Sequence, residues 1–190
     1  PTWDNVSRLA DLPRTWLRTP REHHASASRI VSRWLVDCVR RAYAPGCEVG
    51  PVLVLAGPQG CGKSWGLEAL AGDWYTNAGD VSGLDDRDAP ERLHTAAAAG
   101  ALVVEVDAVS LDARWSRFID ARSDTWRPRY QTDARTAARG FVLAVTTNDT
   151  RADLGRRFEV VVCDRVAHLN PWTRVQIWAE AMHRAEVRRG

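Results

Sequence analysis

Eight consecutive residues, Gly57-Pro58-Gln59-Gly60-Cys61-Gly62-Lys63-Ser64, satisfy the spacing G-x-x-x-x-G-K-[ST] at every fixed position, the pattern of a phosphate-binding loop. Each residue type has a task in that chemistry. Glycines let successive backbone N–H groups turn inward and cradle a polyphosphate, and a helix beginning at the same point adds the positive end of its dipole. Lys63 is expected to reach the β- and γ-phosphates of ATP, and the Ser64 hydroxyl to ligate Mg²⁺. Among 26 lysines and arginines, Lys63 is the only lysine. A compact ammonium fits between phosphate oxygens where a planar guanidinium fork does not.

Two other segments end in groups suited to the same chemistry. Ala101-Leu102-Val103-Val104-Glu105-Val106-Asp107 reads as a buried strand ending in acids. Carboxylates delivered to the carboxyl edge of a sheet can hold the Mg²⁺ shell and align water. The next residue is Ala108, where an adjacent second acid would polarise that water. Either Glu105 takes the catalytic role or hydrolysis is weak. Phe141 to Asn148 reads as a further buried strand ending in an amide.

These groups need a sheet with helices around it. Val52 to Ala56 reads as the strand leading into the glycine-rich loop, and Trp65 to Leu70 as helix after it. Ahead of them, Trp3, Val6, Leu9, Leu12, Trp16 and Leu17 suggest one or two short helices interrupted at Pro13. Ile30, Val31, Trp34, Leu35, Cys38, Val39 and Ala42 form the apolar stripe of an amphipathic helix over 25–43, stopped by Ala44-Pro45-Gly46. His23-His24 has no third ligand in range and reads as a solvated connector. Gly72 to Ala89 reads as a polar surface loop, and 90–99 as a short helix. Leu111, Trp115, Phe118 and Ile119 recur at helical spacing, with Ser110 as N-cap.

Asp124 to Gly140 is a basic stretch carrying Arg127, Arg129, Tyr130, Arg135 and Arg139. Arginines interleaved with aromatics suit single-stranded nucleic acid, through phosphate pairing and base stacking. The residues alone fit a solvated loop with anchoring aromatics equally well. Arg151, Arg156 and Arg157 precede a strand over Phe158 to Cys163, where surface salt bridges are the plain reading. Asn170-Pro171 opens a last helix with Val175, Trp178, Ala181, Met182 and Ala185 on one face.

The 190 residues suit one domain, divided as a helical segment over 1–48 and an α/β core over 49–190. A net charge of +2 excludes a generally basic nucleic-acid binder, so any such surface is local. Cys38, Cys47, Cys61 and Cys163 form no C-x-x-C pair and no metal-ligand spacing. Free thiols, the lack of a membrane-length apolar run and the lack of a signal peptide suit a soluble cytoplasmic protein.

Taken together, the residues resemble the virulence-associated E (VapE-like) family of phage and mobile-element ATPases, related to superfamily 3 primase-helicases of the AAA+ class. The resemblance rests on Trp3-Asp4 with Arg8-Leu9, Trp34-Leu35, Pro45-Gly46, Gly57 to Ser64, Val103-Val104-Glu105, Phe118-Ile119, Trp126-Arg127 with Tyr130, Thr146-Thr147-Asn148, Gly155-Arg156-Arg157-Phe158 and Trp178-Ala179-Glu180-Ala181, in family order over nearly the whole chain. It implies an α/β P-loop NTPase core with a parallel sheet flanked by helices. That core would assemble into a ring, expected to be hexameric, with nucleotide between subunits, and would translocate on DNA. Lys63 and Ser64 would bind phosphate and Mg²⁺, and Glu105 would supply the Walker B acid. Asn148 resembles sensor 1, and Arg156 and Arg157 resemble an arginine-finger pair. The stretch from Asp124 to Arg139 would face a central DNA channel. The sequence departs from the family at Ala108, at Gly155 (usually Asn) and at Glu159-Val160 (often Trp-Pro). The primase module common in the family has no counterpart among these residues, so primer synthesis is not assigned to them, and primase or other replication proteins are expected partners.

The expected function is therefore an ATP-dependent DNA motor. A nucleotide-gated scaffold that binds ATP, oligomerises and loads or blocks other replication proteins is the main rival. A small-molecule P-loop kinase is the second.

Overall fold

The computed structural model describes residues 2–80, 93, 95, 100–107, 118–127, 132–150 and 155–187. Strands β1 (Val52–Ala56), β2 (Tyr75–Asp80), β3 (Val103–Asp107), β6 (Val142–Thr147) and β7 (Phe158–Val162) form a five-stranded sheet in the order β2-β3-β6-β1-β7. Every pairing in it is parallel. Strands β4 (Ser123–Trp126) and β5 (Arg135–Ala138) form a separate antiparallel pair between β3 and β6 in sequence. The described helices are α1 (Leu12–Thr15), α2 (His24–Tyr43), α3 (Lys63–Ala71) and α4 (Pro171–Val187).

The central strands are apolar on both faces, as a covered parallel sheet requires. Along β1, Leu53 and Leu55 face a core built with α1–α4, and Val52 and Val54 face a second core with Phe141, Leu143 and Val145. The amphipathic stripe of α2 buries Ile30, Val31, Trp34, Leu35, Cys38 and Val39 in the first of these cores. Trp34 donates its indole N–H to the Leu143 carbonyl at 3.0 Å, and Trp178 donates to Leu70 at 2.9 Å. Indoles that fill a core while bonding a carbonyl avoid an unsatisfied buried donor. Glu180, fully buried, accepts from Ser7 Oγ and from the backbone N–H groups of Arg8 and Leu9, which ties the start of the chain to α4.

Several expectations change. The stretch from Gly72 was expected to be a loop, yet Gly72–Trp74 is a 3-10 turn and Tyr75–Asp80 is the edge strand β2. Polar composition misleads there because only one side of β2 is paired, and Tyr75 supplies the buried contact. The basic stretch after Asp124 is largely the β4–β5 pair. Pro13 does not interrupt a helix; it sits in the first turn of α1, where its missing N–H costs nothing. At α4, Asn170 Oδ1 accepts from Thr173 N at 2.8 Å, so Asn170-Pro171 opens the helix as its residue types dictate. The expected helix over 90–99 and the expected helix from Ser110 lie almost wholly outside the described residues, as do Ala108, Arg129, Tyr130 and Arg151.

Candidate functional site

The chain passes from β1 to β2 on one side and returns through β6 to β7 on the other, so the order reverses around β1. A crevice opens at the carboxyl ends of strands where the order reverses. The glycine-rich segment occupies that point. Gly57 must be glycine: a Cβ there would lie 2.1 Å from the Cys163 carbonyl oxygen at the end of β7. Gly62 caps α3 at φ +95°, a left-handed conformation that lets the loop turn directly into the helix. A cleft of about 410 Å³ lies over the segment, bounded by Gln59, Gly60, Lys63, Ser64, Asp107 and Asn148 among others. Pro58 and Gln59 are exposed at its rim, and Cys61 is half-buried.

Lys63 is buried and its ammonium is fully engaged. It donates to the carbonyls of Gly57 at 2.8 Å and Pro58 at 3.0 Å, and to Asn148 Oδ1 at 3.0 Å. The amide at the end of β6 thus meets the lysine at the start of α3. Glu105, with no exposed surface, is the hub of a second cluster. Ser64 Oγ donates to its Oε1 at 2.6 Å, Thr146 Oγ1 to the same oxygen at 2.8 Å, and Tyr75 Oη to Oε2 at 2.6 Å. Three hydroxyl donors on one carboxylate offset the cost of burying its charge. Burial, then the Glu105 hydrogen bond, holds the Tyr75 phenol above its usual range, so it stays a donor. Asp107, one turn of the pleat further along β3, is exposed and borders the cleft, 3.5 Å from Thr146 Oγ1.

Ser64, Glu105 and Asp107 therefore converge, and Lys63 and Asn148 meet beside them. The donors of the first group are all oxygen, and among the described residues no three His, Cys, Asp or Glu side chains cluster. Two carboxylates and a hydroxyl beside this cleft are the donor types that suit a hard cation such as Mg²⁺.

Arg156 and Arg157 do not join this site. They precede β7, at the amino edge of the sheet, where the Arg157 carbonyl accepts from Val52 N at the start of β1. The five residues of β1 separate the two edges by roughly 15 Å. Arg157 pairs with Asp120 at 2.5 Å, and Arg156 is exposed. The two arginines border a cleft of about 510 Å³ with Arg41, Arg122, Glu48 and Asp120. The β4–β5 pair lies at this same edge, because β5 leads directly into the start of β6. Arg127 and Arg135 are exposed near its far end. Arg139 is not: it is 3% exposed, forms a bidentate pair with buried Asp124, and its guanidinium stacks 4.1 Å from the Phe118 ring centroid. Arg139 therefore leaves the nucleic-acid set and acts as the anchor of the β4–β5 pair.

Sequence reasoning missed Tyr75, because β2 was not anticipated, and gave Thr146 no role of its own. It also missed Trp65, 45% exposed beside Ser64, with the His168 ring 5.9 Å away.

The family model of the virulence-associated protein E-like domain matches residues 1–188. No curated protein matches the chain. Among solved structures, the fold is similar to the C-terminal region of NrS-1 in its A form apo structure, with a TM-score of 0.57 at 17% identity. That likeness covers 97% of this chain and 45% of the NrS-1 chain, so the present chain spans less than half the length of that relative.

Proposed function

Because the chain belongs to the virulence-associated protein E-like family, we propose that it is an ATP-dependent motor acting on DNA in the replication of a phage or mobile element. The observation that carries this reading is the convergence at one sheet edge of Lys63, Asn148, Ser64 and Glu105 around the glycine-rich loop. A Ser/Thr hydroxyl touching a strand-borne acid, next to a loop lysine, is the layout phosphoryl transfer uses.

In this reading the backbone of Gly57–Ser64 and the Lys63 ammonium hold the polyphosphate, and Trp65 offers a ring face to the nucleobase. Ser64, Glu105 and Asp107 would hold Mg²⁺, which neutralises charge on the phosphate oxygens. Glu105 is buried under three hydroxyl donors, so exposed Asp107 is the carboxylate that faces the attacking water. Asn148 orients that water and passes the state of the terminal phosphate to Lys63. Arg156 and Arg157 lie too far from their own subunit's cleft to touch its nucleotide. They serve a neighbour's, with nucleotide bound between subunits of a ring. Arg127 and Arg135, at the same edge on the β4–β5 pair, contact single-stranded DNA.

Ala108, standing where a second acid would assist water, favours one alternative: a slow nucleotide-gated scaffold that loads other replication proteins. Hydrolysis measured with and without single-stranded DNA, over a protein concentration series, separates them. A steep rise with concentration and stimulation by DNA is expected of the motor. Tight ATP binding without turnover under every condition would replace it with the scaffold.

A further inference from the structure

Two thiols meet at the base of the glycine-rich loop. Cys61 Sγ lies 4.0 Å from Cys163 Sγ, at van der Waals contact, and the Cys163 carbonyl is the group that excludes any side chain at Gly57. They come from distant parts of the sequence, one in the loop after β1 and one just past β7, brought together because β1 and β7 are paired neighbours. The remaining cysteines are elsewhere: Cys38 is in the core of α2, and Cys47 is near the amino edge of the sheet.

The two sulfurs differ in the way a reactive pair requires. Cys61 is half-buried and lies 3.9 Å from the Lys63 ammonium, within reach of solvent. Cys163 has no exposed surface. Burial, then the neighbouring Cys61, pushes the Cys163 thiol up to about 12, so it stays protonated at neutral pH.

We propose that Cys61 and Cys163 are an oxidisable pair that closes to a disulfide under peroxide and shuts the glycine-rich loop to nucleotide. The chemistry balances. Hydrogen peroxide is attacked by Cys61 Sγ, its O–O bond breaks, and a sulfenic acid forms with release of one water. The Cys163 sulfur then displaces hydroxide from that sulfenic sulfur, its thiol proton leaves with the hydroxide as a second water, and the S–S bond forms. Two thiols are oxidised and one peroxide is reduced to two waters.

A disulfide holds its sulfurs about 2.0 Å apart, so the pair must close by roughly half its present separation. Loop and strand are already in contact at Gly57, and Lys63 is bonded to the carbonyls of Gly57 and Pro58. Drawing Cys61 toward β7 therefore moves the backbone that would face phosphate. This effect on ligand rests on the nucleotide-binding reading above; the crosslink itself does not.

The test treats the full chain with hydrogen peroxide, blocks remaining thiols, and maps crosslinked peptides by mass spectrometry. ATP binding is measured on the same samples with a fluorescent ATP analogue. The expected result is a Cys61–Cys163 linkage with two hydrogens lost, at least a tenfold weaker ATP affinity, and recovery of both with dithiothreitol. Cys163→Ser should bind ATP normally before and after peroxide; should it fold poorly, Cys163→Ala serves the same purpose. Oxidation of Cys61 to sulfinic acid without a crosslink, or a crosslink that leaves ATP affinity unchanged, overturns the proposal. Reduced protein that does not bind ATP overturns the nucleotide reading instead, with the crosslink still read by mass.

Discussion

The Lys63 ammonium donates to Asn148 Oδ1 at 3.0 Å, so a side-chain hydrogen bond joins the start of α3 to the residue just past β6 inside the cleft. The two side chains do different work in the proposed cycle, and their variants separate it. Lys63→Ala is expected to weaken ATP binding about 100-fold, equivalent to roughly 2.7 kcal/mol. Asn148→Ala should leave binding within about fivefold and lower turnover by about tenfold or more. Equilibrium binding and steady-state hydrolysis on both variants check this; equal loss of binding in both would deny Asn148 its separate role.

Glu105 accepts from Ser64, Tyr75 and Thr146 at once. Glu105→Gln keeps the shape and removes the charge. Turnover should fall about 100-fold or more, and unfolding in urea should show a loss of about 1–3 kcal/mol from hydroxyls left with a poorer acceptor. A loss of stability without change in turnover would make Glu105 a purely architectural group.

The basic stretch divides into an inner and an outer set. Arg139→Ala strands buried Asp124 and should cost about 3–5 kcal/mol in urea unfolding. Arg127→Ala and Arg135→Ala, both exposed, should change stability by less than about 0.5 kcal/mol. Each should lower the salt dependence of single-stranded DNA binding by about one phosphate contact. A DNA affinity unaltered by both would remove the β4–β5 pair from the interface.

Shared sites predict complementation. Lys63→Ala has intact arginines and a defective loop; Arg157→Ala has the reverse. Each alone should be nearly inactive, and a mixture should recover hydrolysis at concentrations where subunits associate. Failure to recover, with association shown by light scattering, would place Arg157 outside a neighbour's site.

Alkaline stability has a defined sign. The ordinary cysteine thiol ionises near 9.0, whereas the folded Cys163 thiol does so at about 12. Between those values the unfolded chain has lost the proton that the folded chain retains, so stability falls as pH rises through the window. The slope from this one thiol is at most about 1.4 kcal/mol per pH unit. Urea midpoints from pH 8 to 11 should fall less steeply in Cys163→Ala.

How far the sequence carried depends on what kind of signal each residue gave. The strand–loop–helix around Gly57–Ser64 was legible because glycine spacing and an apolar run are local. So were β3 and β6, whose runs are mostly buried and apolar, β7, which buries Phe158 and Val161, and α2, whose stripe has the helical period. Strand β2 was not legible: Tyr75-Thr76-Asn77-Ala78-Gly79-Asp80 has a loop's composition, and only its pairing with β3 makes it a strand. The burial of Arg139 was hidden for the same reason, since its partner Asp124 is 15 residues away on the opposite strand of a hairpin. Glu105 and Asp107 looked interchangeable as acids. Their difference, one sealed under three hydroxyls and one open to the cleft, exists only after Ser64, Tyr75 and Thr146 have been brought from three other elements.

The placement of Arg156 and Arg157 at one end of β1 and the glycine-rich loop at the other gives the subunit unlike ends. In the proposed ring the arginine end of each subunit would meet the cleft end of the next, a head-to-tail contact with a direction. Closed on itself, such a ring would pass the outcome of hydrolysis at one cleft only one way around.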